Sequence, residues 1–289
     1  MRGALVLMPP PPPPPSQVSE KAFDVIVNLA KAAGGSKVYV LHVFPRNWAS
    51  EAGVRGPDYH KNEFESRGRK ADVEVFWRQA EEEEDRSVCD LVKEMAENSR
   101  IHFVAMGSFG QSNTGEGDAI EVLGSMADSA LRSMHSSNVI VKSSSFELEE
   151  QRTFVFATDH SDAAQAAFAI FCHNVIQAGD ICHVVYTSKV VEKTTILAAY
   201  ENELSKKDVD EKSRCALVKI NEDDNVADQI CQFARKCQAD FLVLGVSGYN
   251  KAKLGSVSEA AVKTATCTVI VVKDPTESWS HLDPPQATF

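Results

Sequence analysis

In the second half of the chain, apolar residues gather in short runs: "RTFVFATD" (152–159), "DICHVVYT" (180–187), "CALVKI" (215–220), "DFLVLG" (240–245) and "CTVIVVK" (267–273). Runs of this length, bounded by polar and glycine-bearing stretches, predict strands. Between them the apolar positions recur at helical spacing. "SDAAQAAFAIFCHNVIQAG" (161–179) predicts an amphipathic helix that Ser161 caps and Gly179 ends. The stretch 190–207 is polar and compatible with a helix. "NVADQICQFARKCQA" (225–239) predicts another, and the glycine segment "LGVSGYNKAKLGSVSE" (244–259) runs into a last one. Strands separated by helix-length segments imply a parallel sheet with helices on both faces.

The first half repeats the pattern. "DRSVCDLVKEMAENSRIHFVAMGSFG" (85–110) lies without gaps over "DDNVADQICQFARKCQADFLVLGVSG" (223–248), sharing Asp85/Asp223, Val88/Val226, Phe103/Phe241, Gly107/Gly245 and Gly110/Gly248. "LGSMADSALRSMHSSNVIVK" matches "LGSVSEAAVKTATCTVIVVK", and "VYVLHVF" matches "DICHVVY" through His42/His183. Self-similarity at half the chain length means tandem duplication. The expected domains are 1–145 and 152–274, joined across the polar "SSSFELEEQR" (143–152), with 275–289 as a polar tail.

Composition narrows the function classes. The 289 residues suffice for two such domains, and 43% hydrophobic with 25% charged residues is ordinary globular usage. No run approaches the ~20 apolar residues of a membrane helix, and no export signal is visible, so the expected location is the cytoplasm. A net charge of −11 opposes nucleic-acid and anionic-membrane binding, which reward basic patches. The seven cysteines show neither Cys-x-x-Cys nor zinc spacing. Most lie in apolar runs, where a free thiol packs as a small hydrophobe. His42 and His183 are read as core histidines, because no nucleophile motif accompanies them. "TGEGDAI" (114–120) lacks the third glycine of a dinucleotide fingerprint and does not directly follow a strand.

A strand ending in Asp-x-Ser before a helix, followed by Gly-x-x-Gly and then Gly-Ser, resembles the universal stress protein family. The likeness covers both halves and is best in "ATDHS" (157–161) and "LGVSG…LGSVSE". It implies two tandem doubly wound domains, each a five-stranded parallel sheet of order 3-2-1-4-5 with helices on both faces, paired through their fifth strands as an intramolecular pseudo-dimer. ATP-binding members of the family hold nucleotide where the strand order reverses, as open α/β sheets generally do. Residue by residue, the resemblance implies contacts from Ala157, Thr158 and Asp159 towards the adenosine and from the Val184 backbone towards the adenine. Towards the phosphates it implies Leu244, Gly245, Ser247 and Gly248, then Gly255, Ser256 and Val257. The residue types suit that role. Glycine lets the backbone approach a phosphate, and a helix N-terminus offers free N–H groups.

The chain departs from the family in two places. Six residues separate Gly248 from Gly255, and thirteen separate Gly110 from Gly124; one spacing is shorter and the other longer than the family's. In the first repeat the strand "ALVLM" runs into seven prolines, 9–15, where the acid should stand. Proline offers neither an N–H nor a carboxylate, so Gly107, Gly110, Gly124 and Ser125 form a degenerate half-site. The proline run is either a stiff polyproline II loop or a ligand for a proline-binding module. The resulting expectation is a stress-response signalling module that binds ATP or AMP, ATP with magnesium as its companion ion. It has no metal site of its own and at most slow ATP hydrolysis, and dimers of the chain are allowed. The rival is a protein of the same fold that binds no nucleotide and acts through surface and proline-rich contacts.

Overall fold

The computed structural model describes residues 4–8, 17–34, 37–44, 58–81, 86–108, 123–142, 151–188, 194–219, 225–246 and 254–273. The proline run 9–15, Gly110, Ser247 and Gly248 lie outside these residues. The described residues fall into two compact units, within 1–143 and 144–274.

The first unit runs β1 (Ala4–Met8), α1 (Gln17–Ala32), β2 (Lys37–Phe44), α2 (Asp58–Lys70), β3 (Glu74–Glu81), α3 (Val88–Asn98), β4 (Phe103–Gly107), α4 (Ser125–Ser133) and β5 (Ser137–Val141). Its strands stand in the order β3-β2-β1-β4-β5, every neighbouring pair parallel. The second unit runs β6 (Thr153–Thr158), α5 (Asp162–Asn174), β7 (Ile181–Ser188), α6 (Thr194–Ser205), β8 (Arg214–Lys219), α7 (Val226–Lys236), β9 (Phe241–Gly245), α8 (Ser256–Thr264) and β10 (Thr268–Val272). Its order is β8-β7-β6-β9-β10, again all parallel. Each unit therefore has the expected 3-2-1-4-5 sheet. Right-handed crossovers place the first two helices of each unit on one face and the last two on the other.

Aromatic packing anchors the second unit. Phe154 of β6 stacks on Phe241 of β9 with centroids 4.8 Å apart, and Phe156 meets Phe168 of α5 edge-on at 4.9 Å. All four rings are buried. Such pairs add about 0.5–1.5 kcal/mol each beyond their burial. At the opposite edge from the strand C-termini, Arg152 and Asp180 form a buried two-point pair, Nε–Oδ1 3.0 Å and Nη2–Oδ2 2.5 Å.

That pair also corrects one boundary. Helix α5 ends at Asn174, five residues before the expected stop at Gly179. Arg152 Nη2 donates to the Val175 carbonyl at 3.1 Å, and the Gln177 N–H donates to Asp180 Oδ2 at 2.7 Å. Both groups would serve the next helical turn if the helix continued. Gly179, at φ +82°, belongs instead to the turn that enters β7.

The start of α5 matches the expectation. Ser161 is its N-cap, its Oγ accepting from the Ala164 N–H at 3.3 Å. His42 and His183 are buried as expected, at 1% and 7% exposure. Among the described residues six cysteines are free thiols, five of them buried. No helix among the described residues is long and apolar enough to cross a membrane.

Candidate functional site

In the second unit the chain leaves β6 towards β7 on one side of the sheet and later returns to β9 on the other. The loops that leave the C-terminal ends of these two neighbouring strands diverge, and a crevice opens between them. A cavity of about 410 Å³ lies there. Ala157, Thr158 and Asp159 line it from the end of β6, and Leu244, Gly245 and Val246 from the end of β9. The first turns of α5, α7 and α8 close its sides through Ser161, Ala163, Ala164, Val226, Ile230, Ser256, Val257 and Ser258, with Gly255 at the α8 cap. The volume falls in the ~300–1,000 Å³ range of small-molecule sites.

Three helix N-termini thus meet the cavity, and their caps differ. Ser161 caps α5 and Asn225 caps α7, each with a side-chain oxygen that accepts a first-turn N–H. The α8 cap is Gly255, which has no side chain to do so. Among the described residues no side chain caps the first turn of α8, which lines the cavity with Ser256, Val257 and Ser258. This arrangement offers donors and the positive end of a helix dipole to an anion.

The β6–α5 turn is held by local bonds. Asp159 is exposed, and its Oδ1 accepts from the Ser161 N–H at 3.0 Å. A carboxylate has further lone pairs, which remain available to a ligand. Thr158 Oγ1 accepts from the His160 N–H at 3.0 Å and bonds the Tyr200 hydroxyl at 2.7 Å. His160 adopts φ +63°, a left-handed conformation uncommon for a residue with a side chain.

The two described glycines at the cavity have different reasons to be glycine. A Cβ on Gly245 would stand 2.7 Å from the Ala167 Cβ and 3.2 Å from the Ala164 Cα. Gly245 is thus required by the close approach of α5 to β9, whatever the cavity binds. A Cβ on Gly255 would meet nothing within 4 Å, and its φ is an ordinary −60°. Nothing in the packing demands glycine there.

Of the residues singled out in the sequence, Ala157, Thr158, Asp159, Leu244, Gly245, Gly255, Ser256 and Val257 come together around the cavity. Val184 does not. It pairs with Phe156 inside the sheet, fully buried, and the residue level with Thr158 is Tyr186. Ser247 and Gly248 lie outside the described residues. Ser161, Ala163, Ala164, Val226, Ile230, Val246 and Ser258 line the cavity without having been singled out for it. Ser161 was legible as a cap and Val226 and Ile230 as an apolar helix face, but a helix pattern does not reveal which end of that face meets a crevice. Among the described residues no group of three or more His, Cys, Asp or Glu is placed to hold a metal ion.

In the first unit Gly107 ends β4, and Gly124 caps α4 without a side-chain bond, so Ser125 opens that helix as Ser256 opens α8. The Gly124 N–H donates to the carbonyl of buried Ser108 at 2.8 Å. Gly110 and the prolines lie outside the described residues.

Comparison with known proteins agrees with this architecture. A functionally unknown protein from Pseudomonas aeruginosa has a crystal structure that superimposes with a TM-score of 0.63 at 15% identity, covering 97% of this chain and 95% of that one. A universal stress protein from Archaeoglobus fulgidus gives 0.60 at 19% identity, covering 93% and 98%. At these identities the likeness is one of fold. A curated universal stress protein of Methanocaldococcus jannaschii is 44% identical over 52 residues, 17% of this chain and 31% of the length of that relative. The pattern of the universal stress protein family matches twice, over residues 15–142 and 151–273, so the chain belongs to that family in tandem form.

Proposed function

We propose that the second unit binds an adenine nucleotide, ATP or AMP, and that the protein serves as a nucleotide-responsive module in stress signalling. The observation that carries this reading is the cavity at the β6/β9 crevice. It has the exposed Asp159 carboxylate at one strand end and the uncapped first turn of α8 beside the other. A carboxylate suits ribose hydroxyls, and bare N–H groups suit phosphate. On the family resemblance, Ser247 and Gly248 complete the phosphate side. The first unit keeps only Gly107, Gly110, Gly124 and Ser125 of such a site, so the stoichiometry is one nucleotide per chain. No catalytic role is assigned to any residue, and hydrolysis is at most slow. Pairing of the two units as a pseudo-dimer and a cytoplasmic location belong to the same reading.

Titration calorimetry with ATP and with AMP tests it. The full chain should bind one equivalent. Asp159→Ala should weaken binding by about ten- to a hundred-fold, the usual loss for a hydrogen bond to a charged group. Two equivalents, or unchanged affinity in Asp159→Ala, would refute the assignment. No bound nucleotide after purification and no thermal shift in Mg-ATP would transfer the function to the rival, an interaction protein without nucleotide.

A further inference from the structure

A side chain that meets the β6–α5 turn comes from a helix that does not line the cavity. Tyr200, on α6, is 3% exposed, and its ring packs edge-on against Phe168 at 4.7 Å and lies 6.4 Å from Phe156. Those contacts fix the ring. Its hydroxyl then reaches Thr158 Oγ1 at 2.7 Å. Thr158 is itself 4% exposed and accepts the His160 N–H, while the His160 ring stands edge-on to Tyr200 at 6.0 Å. Tyr200 therefore touches the turn at two points on either side of Asp159. Gln165 Nε2 adds a third tie, donating to the His160 carbonyl at 3.1 Å.

Between these ties lies the residue with the left-handed backbone. A non-glycine residue in that region costs free energy and persists only where its surroundings over-determine it. Here the surroundings are a short chain: Tyr200 hydroxyl, Thr158 hydroxyl, His160 N–H. If His160 relaxes, the preceding peptide turns and the Asp159 carboxylate leaves its bond to the Ser161 N–H. The only described carboxylate that lines the cavity thus sits between two residues that Tyr200 of α6 touches, and no residue of α6 lines the cavity.

We propose that Tyr200 is a positioning residue: through Thr158 it holds the Asp159–His160 turn in its left-handed form, so that Asp159 is presented to the ligand. The position of α6 and ligand affinity are thereby coupled. A shift of α6 that withdraws the Tyr200 hydroxyl weakens binding, and a bound ligand that fixes Asp159 holds α6 in return, as linkage requires. The affinity consequence rests on the nucleotide reading of the cavity; the hold on the turn does not.

The experiment has two arms on the full chain. In the unliganded protein, hydrogen exchange at the His160 and Ser161 amides is compared between wild type and Tyr200→Phe, which keeps the ring and removes the hydroxyl. Exchange at both amides should quicken at least several-fold, while amides in the middle of β6 and β9 stay unchanged. Thr158→Val removes the same bond from its other end and should do likewise, which covers the case in which one variant folds poorly. Unaltered exchange at His160 and Ser161 in the folded variants would overturn the proposal. In the second arm AMP is titrated into wild type, Tyr200→Phe, Asp159→Ala and the double variant. Tyr200→Phe should cost about ten-fold in the Asp159 background and nothing further once Asp159 is gone, because contacts in one network are non-additive. Equal fold losses in both backgrounds would show that Tyr200 acts only on general stability, and would overturn the proposal. If wild type binds no AMP, the nucleotide reading falls, and the exchange arm still decides whether Tyr200 holds the turn.

Discussion

Gly245 and Gly255 both line the cavity and are identical in chemistry, yet the structure predicts opposite outcomes for the same substitution. In Gly245→Ala the new methyl would lie 2.7 Å from the Ala167 Cβ and 3.2 Å from the Ala164 Cα. Carbon atoms rest at about 3.5–4.0 Å, so α5 must retreat by roughly an ångström or β9 must bend. Overpacking of this kind costs about 1–3 kcal/mol. A 2.7 Å contact puts the clash in the upper part of that range, about 2–3 kcal/mol; removing a glycine from the unfolded chain returns about 0.4–1 kcal/mol where the backbone is ordinary, which leaves a net loss of about 1–2.6 kcal/mol. For a unit of this size each kcal/mol corresponds to roughly 4 °C in Tm, so Gly245→Ala should melt roughly 4–10 °C lower. In Gly255→Ala the methyl enters open space at φ −60°. The only loss is the modest preference for glycine over alanine at an N-cap, under about 1 kcal/mol, against a similar entropic gain. Its Tm should stay within about 2 °C of wild type. Thermal unfolding followed by circular dichroism, with urea midpoints as a check, reads both numbers. Calorimetry should then show the converse for ligand, because the Gly255 methyl stands beside the uncapped turn of α8. Equal melting temperatures for the two variants, or a lower one for Gly255→Ala, would refute the division into a packing glycine and a site glycine.

Asp180→Ala leaves the Arg152 guanidinium buried without its partner, which should cost about 3–5 kcal/mol and be partly relieved by adding Arg152→Met; a urea midpoint within error of wild type would contradict this. Burial pushes the thiols of Cys172 and Cys267 up from 9.0 to about 12. Their neutral forms therefore stabilise the fold fully below pH 9, and that contribution is lost as the pH climbs towards 12. The urea midpoint should fall over that window, and native alkylation at pH 8.5 should spare both thiols; a flat midpoint from pH 9 to 11 or rapid labelling of either would count against it. If the units pair through their fifth strands, the isolated second half (152–289) should self-associate in sedimentation, because within its own unit β10 pairs only with β9 and is apolar from Val269 to Val272. A stable monomer would argue against strand-5 pairing.

What the sequence made legible follows from how each element is stabilised. The second unit could be read because its strands are continuous apolar runs and its helices carry strong one-sided patterns, most clearly α7, whose buried Ala227, Ile230, Cys231 and Ala234 recur at helical spacing. In the first unit α2 and β3 gave no such signal. Phe64 packs beneath α2 against Phe23 at 4.6 Å and Trp77 at 6.0 Å, and Arg67 covers Phe23 and Phe64 with its guanidinium. Gly68 lets the helix descend on Val75, where a Cβ would meet the Cγ2 at 2.2 Å. An arginine guanidinium and a glycine take the places of apolar side chains here, and a hydrophobic pattern does not register either.

The site divides the same way. The residues at strand ends and at the α8 start could be placed from sequence because strand ends and helix starts follow from local pattern and the family resemblance implies the strand order. Tyr200 could not, because its role depends on α6 meeting a turn some forty residues away, and nothing in "ILAAYENELS" distinguishes that tyrosine from any other buried one. Gly245 is the converse case: it lines the cavity, and packing gives a second reason for it. Its match to a phosphate-binding glycine made a functional reading look sufficient, whereas the approach of Ala164 and Ala167 would require glycine there even in a unit that bound nothing. A motif glycine identifies a phosphate site only after the packing reason for it has been removed. Among the described residues of this unit the motif glycine that passes that test is Gly255, which is why the affinity of Gly255→Ala, set against its unchanged stability, discriminates more sharply between a nucleotide site and a turn than any substitution at Gly245.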